Sequence, residues 1–116
     1  MSNSSTKRPI IREAMRIGGR KVSTDDVIEV RYPYTNEVIG TVPAGNAEHA
    51  REAFEIAAKY KPKLTRYERQ QILFKAAGLI RERRDQIAEV LTLELGICNQ
   101  HALYETGLTY LCWRGS

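Results

Sequence analysis

The sequence predicts an α+β order: short β-hairpins at the N-terminus, then three to four helices. Three observations predict it. Residues 14–42 contain short β-rich runs separated by glycine and Pro–Asn turn chemistry. From Asn46 to Trp113 apolar side chains recur mostly at helical spacing, with Asn46 and Thr65 placed to cap. A chain of 116 residues is one ordinary domain or less.

Residues 1–12 are rich in Ser and Arg without an apolar period and read as a disordered or loosely attached arm. Ala14 to Ile17, Gly18-Gly19 and Arg20 to Val22 read as strand, turn and return strand, the glycines supplying positive φ. Ile28, Val30 and Tyr32 alternate with Glu29 and Arg31, a half-wet strand over 27–32. A second β-rich run spans Val38 to Val42, ended by Pro43. Between the two, Pro33 presets a turn and Asn36 tolerates a left-handed backbone.

Asn46 caps the first helix, with Glu48 where the macrodipole favours an acid, and the helix should end by Pro62. Its stripe, Ala47, Ala50, Phe54, Ala57 and Ala58, is mostly alanine. Thr65 with Glu68 three residues on is a capping box for a helix carrying Ile72, Ala76, Leu79 and Ile80. Charged residues interrupt that stripe, so a break is expected near Asp85. Ile87, Val90 and Leu91 then carry a third helix to Gly96, and Leu103 to Trp113 reads as a fourth.

The net charge of +4 would suit a nucleic-acid or membrane partner if it were spread over the surface. It is concentrated in Lys7, Arg8, Arg12, Arg16, Arg20 and Lys21 against Glu13 alone, leaving the body nearly neutral. No run approaches the roughly 18 apolar residues of a membrane span, and the start lacks the apolar core of a secretory signal, so a cytoplasmic, membrane-free protein is expected. Cys98 and Cys112 are too few for a disulfide framework and are read as thiols.

No Gly-rich phosphate motif and no zinc-protease motif occurs. The soft ligands Cys98, His101, Cys112 and His49 include no second close pair, which argues against a zinc site. Cys98 and His101, three apart, would make a thiolate–imidazolium pair only if both lay on one helix, and no third orienting group is evident. Lys59 to Tyr67 interleaves cations with aromatic rings, as a single-stranded nucleic acid would require. Cations at a helix C-terminus between glutamate-laced helices account for the same residues, so nucleic acid is not expected.

Taken in order, these residues resemble the N-terminal section of the NAD(P)-dependent aldehyde dehydrogenase superfamily. Ile17-Gly18-Gly19 resembles its opening hairpin. Tyr32 to Pro43 resembles its turn-and-strand motif, usually Asn-Pro-x-Thr-Gly-Glu-Val-Ile, with Tyr32 and Asn36 as departures. Asn46 to Tyr60, Arg69 to Ala77 and Thr92 to Gly96 resemble its first three helices, with Ile97 where many members have Lys. Within the superfamily, Tyr60 to Gln71 looks like the phosphonoacetaldehyde dehydrogenase group, although Asn99 to Trp113 offers no Lys or Arg for a substrate anion.

The resemblance implies an incomplete α/β cofactor domain over residues 13–113, with 114–116 a tail, of an enzyme that oxidises a small aldehyde to a carboxylic acid with NAD or NADP. In that family a cysteine attacks the aldehyde, hydride passes to the dinucleotide and a glutamate activates water. Those groups lie downstream of the region covered here, so no cofactor and no catalytic residue is expected on this chain, and neither cysteine occupies the nucleophile's position. One carry-over is a weak monovalent-cation site from the carbonyls of Val30 and Arg31 and the carboxylate of Glu94. Similarity fades after Glu105-Thr106-Gly107, and the ending reads as a truncated or frameshifted reading frame or a fragment. Such a chain is expected to be inactive alone and to self-associate through apolar surface. The competing expectation is a small helical binding module whose basic arm docks nucleic acid or an acidic partner.

Overall fold

Five short strands precede four helices in a computed structural model that describes residues 8–115. The chain divides into two compact units between Tyr60 and Lys61. In the first unit a small sheet, a hairpin and one helix pack together; in the second, three helices close on each other.

In the first unit β2 (Met15–Ile17) and β3 (Arg20–Val22) form the expected hairpin, with Met15 opposite Val22 and Ile17 opposite Arg20. Gly18 and Gly19 turn it at φ of 56° and 80°, a backbone open to glycine at little cost. β4 (Val27–Arg31) pairs antiparallel with β5 (Val38–Pro43), and a register shift at Val30/Arg31 leaves Ile39 opposite no residue. Asn36 adopts φ 61° in the connecting turn and donates its N–H to the Tyr32 carbonyl at 2.8 Å.

The arm reading needs correction at its end. Ile11–Arg12 is a strand, β1, parallel to β5, with Ile11 opposite Gly40 and Arg12 opposite Thr41, so the sheet runs β1-β5-β4. Glycine at position 40 admits this neighbour, because a Cβ there would stand 3.0 Å from the Ile11 carbonyl oxygen. Two residues are too short to show a period. Residues 1–7 of the expected arm and Ser116 of the expected tail lie outside the described residues.

α1 (Ala47–Lys59) lies against β2. His49 and Ala53 are half-buried and Ile56 approaches Gly18, whereas the stripe legible in the sequence, Ala47, Ala50, Phe54, Ala57 and Ala58, is exposed. The amphipathic face of α1 is therefore not the face that meets the hairpin.

In the second unit α4 (Asn99–Arg114) packs on both α2 (Arg66–Glu82) and α3 (Arg84–Leu95). The break between α2 and α3 falls at Arg83, two residues before Asp85, and Gly96 closes α3 in the left-handed region at φ 68°. α4 starts at Asn99, earlier than Leu103, because its first residues are polar and invisible to an apolar period. Its last residue is Arg114. The buried residues here are Ala77, Ala88, Ala102 and Thr106. Small side chains let the three axes approach closely. Thr106 satisfies its hydroxyl within α4 by donating to the Ala102 carbonyl at 2.9 Å.

Candidate functional site

The candidate residues fall at helix ends and strand edges. Cys98 is the N-cap residue of α4 and is exposed, with no side-chain capping bond. His101 lies inside the helix, and its Nε2 stands 3.2 Å from Glu105 one turn on. The helical Cys98–His101 arrangement needed for a thiolate–imidazolium pair is therefore not formed. Cys112 is exposed near the other end of α4. Among the described residues no three His, Cys, Asp or Glu side chains lie together where a metal ion would need them. His49 has a different role: its Nδ1 accepts the Asn46 backbone N–H at 3.1 Å, completing a capping box in which Asn46 Oδ1 accepts from Glu48 and His49. The Asn-x-x-His spacing was the available signal, and glutamate is the more familiar residue at that position.

Val30 is half-buried and Arg31 exposed on β4 in the first unit, while Glu94 is exposed near the end of α3 in the second. The Arg31 guanidinium donates to the Asn36 carbonyl at 2.9 Å and to Glu29, so its side chain braces the turn. In the run Lys59 to Tyr67, Lys59 ends α1, Tyr60 is its C-cap and Thr65 caps α2, which places these residues at helix termini.

A dinucleotide pyrophosphate is held by free backbone N–H groups at a helix N-terminus that follows a glycine-rich loop. Here Gly18-Gly19 lies between two strands, Asn46 Oδ1 accepts from the Glu48 and His49 N–H groups at the start of α1, and Thr65 Oγ1 accepts from the Glu68 N–H at the start of α2, whereas α3 and α4 begin without a side-chain cap. The glycine pair thus opens no helix N-terminus that a pyrophosphate could use. At the start of α2 the Thr65 backbone N–H, and then its hydroxyl, donate to Glu68 and hold its carboxyl below the ordinary carboxylate range, with a smaller opposing effect of burial. This local electrostatic feature serves folding.

Comparison with known proteins accounts for the arrangement. Residues 20–114 match the model of the aldehyde dehydrogenase family. The chain is 34% identical over 85 residues to lactaldehyde dehydrogenase of Methanocaldococcus jannaschii, covering 71% of this chain and 18% of that one. It is 34% identical over 88 residues to 1-pyrroline-5-carboxylate dehydrogenase of Bacillus cytotoxicus, covering 69% and 16%. Its fold matches the crystal structure of a NAD-dependent aldehyde dehydrogenase from Sinorhizobium meliloti with a TM-score of 0.85 and 30% identity, over 98% of this chain and 24% of that chain. The present chain thus spans about a fifth of the length of the relatives it matches.

Proposed function

The chain belongs to the aldehyde dehydrogenase family, and from that premise we propose that it is the N-terminal section of an oxidoreductase that converts an aldehyde to a carboxylic acid with NAD or NADP. The section serves as scaffold and does no chemistry by itself. One observation carries this reading: almost the whole chain finds its counterpart within a quarter of a NAD-dependent aldehyde dehydrogenase. The Gly18-Gly19 turn agrees with it, since it joins two strands and opens no helix N-terminus for a pyrophosphate. In the proposed role the hairpin, the β1-β5-β4 sheet and the helices fix local geometry. The thiol nucleophile, the water-activating glutamate and the dinucleotide site belong to other parts of such an enzyme.

For the aldehyde itself, the stretch Tyr60 to Gln71 supports the phosphonoacetaldehyde dehydrogenase group, and the relatives named for lactaldehyde and 1-pyrroline-5-carboxylate set the competing substrates. The test is a steady-state assay of the purified chain with NAD or NADP and each of lactaldehyde and phosphonoacetaldehyde, followed by absorbance of the reduced nicotinamide. No turnover is expected. Sustained reduction by the chain alone would overturn the scaffold reading.

A further inference from the structure

One edge of the β1-β5-β4 sheet is β4, and the backbone bonds at its two ends show which of its residues face outward. The Ala44 N–H donates to the Asp26 carbonyl at 2.9 Å before the strand, and the Tyr32 N–H donates to the Glu37 carbonyl at 2.9 Å after it. Bonded residues alternate along an antiparallel ladder, so Ile28 and Val30 bond to β5, whereas Val27, Glu29 and Arg31 turn their N–H and C=O groups away from it. Pro43 agrees with this assignment, since it stands opposite Val27 and has no N–H to give. Among the described residues no strand lies on the far side of β4. Such an edge is a template for another strand.

The strand that fits best is its own copy. Turned about a two-fold axis at Val30, the run Ile28-Glu29-Val30-Arg31-Tyr32 sets Glu29 opposite Arg31 twice, Ile28 opposite Tyr32 twice and Val30 opposite itself. The outward-facing Glu29 and Arg31 then exchange backbone bonds as the ladder requires. On one face opposite charges meet; on the other an aromatic ring meets a β-branched side chain. Glu29, Arg31 and Ile28 are exposed, and Val30 and Tyr32 are half-buried, so the edge is reachable. An axis at Glu29 would set that carboxylate against its own copy, and an axis at Ile28 would carry Arg31 past the end of the facing strand. Within one chain Arg31 already donates to Glu29, so the two-fold joins two such pairs into a network of four alternating charges.

We propose that β4 is a homotypic contact, through which two copies of this chain join edge to edge over Ile28 to Tyr32 as one continuous sheet. The proposal goes beyond the scaffold reading and does not depend on it. The paired stretch is short, so the contact belongs at the small end of protein interfaces and the association is weak and reversible.

Sedimentation equilibrium of the full chain over a range of concentrations tests the contact, and a reversible monomer–dimer equilibrium is expected. Glu29→Arg or Arg31→Glu alone turns two attractive pairs into two repulsive ones, and each is expected to weaken the dimer roughly tenfold or more. Mixing the two variants in equal amounts is expected to restore it, because two arginines on one edge then meet two glutamates on the other. A second readout needs no substitution: hydrogen exchange at the Glu29 and Arg31 amides of the parent is expected to slow as its concentration rises. A parent that stays monomeric at every concentration overturns the proposal. A dimer that both charge reversals leave intact also overturns it, as does a mixture that fails to restore association. A dimer whose formation leaves the Glu29 and Arg31 amides exchanging as before places the contact elsewhere on the chain and overturns it too.

Discussion

Thr65 and Glu68 hold each other across the first turn of α2. The Glu68 N–H donates to Thr65 Oγ1 at 3.2 Å, and the Thr65 N–H donates to Glu68 Oε2 at 2.7 Å. The second bond, with the Thr65 hydroxyl at 2.8 Å, lowers the Glu68 pKa in the fold. A lowered folded pKa means that the fold prefers the ionised form. Its stabilisation is therefore complete above the unfolded value of about 4.3 and is lost as pH falls through the lower folded value. Glu68→Gln is expected to be less stable than the parent at neutral pH, with the gap closing below about pH 4. Denaturant unfolding of both proteins at several pH values checks this, and a gap that stays constant contradicts it. Thr65→Ala removes the cap itself and is expected to cost about 1 kcal/mol.

The β2–β3 turn makes a second prediction, about two neighbouring glycines. Both have positive φ, yet a Cβ at Gly18 would stand 2.9 Å from Ile56 Cδ1, whereas one at Gly19 meets nothing within 4 Å. Gly18→Ala therefore adds a steric cost to the backbone strain of roughly 1–2 kcal/mol that both substitutions share. Urea midpoints should fall further for Gly18→Ala than for Gly19→Ala. Equal losses would show that the turn and α1 do not touch.

Much of this was legible in the sequence where backbone chemistry is local. Gly18-Gly19, Asn36, Thr65 with Glu68, and Gly96 each announce a turn or a cap within a few residues, and each stands where its chemistry placed it. The β1 strand was not legible, because Ile11 and Arg12 acquire their structure from β5, distant in sequence. The facing of the helices was not legible either. Periodicity marks an apolar stripe without saying which stripe meets the rest of its unit, so α1 exposes Phe54 while covering Ala53. Of the site residues, the capping role of His49 was hidden by its type. The family's chemistry could be read only through resemblance, since no motif with a readable mechanism occurs in the sequence.

The buried alanines of the second unit give a third prediction. Ala88 and Ala102 have no accessible surface, so Ala88→Leu or Ala102→Leu inserts volume where the helices meet and is expected to cost about 1–3 kcal/mol. Ile72→Ala removes a much larger side chain at an exposed position, and in the chain alone is expected to change stability by less than about 0.5 kcal/mol. Thermal or urea unfolding of the three variants would give this order. A large loss from Ile72→Ala would mean that the exposed face of α2 is already covered.

On the scaffold reading proposed above, this section of an aldehyde dehydrogenase does not hold a dinucleotide by itself. Calorimetric titration of NAD and of NADP into the purified 116-residue chain tests that claim most directly. The account predicts heats of dilution only, with no saturation up to millimolar cofactor. A saturating isotherm with a micromolar dissociation constant would contradict it and place a cofactor site on this chain.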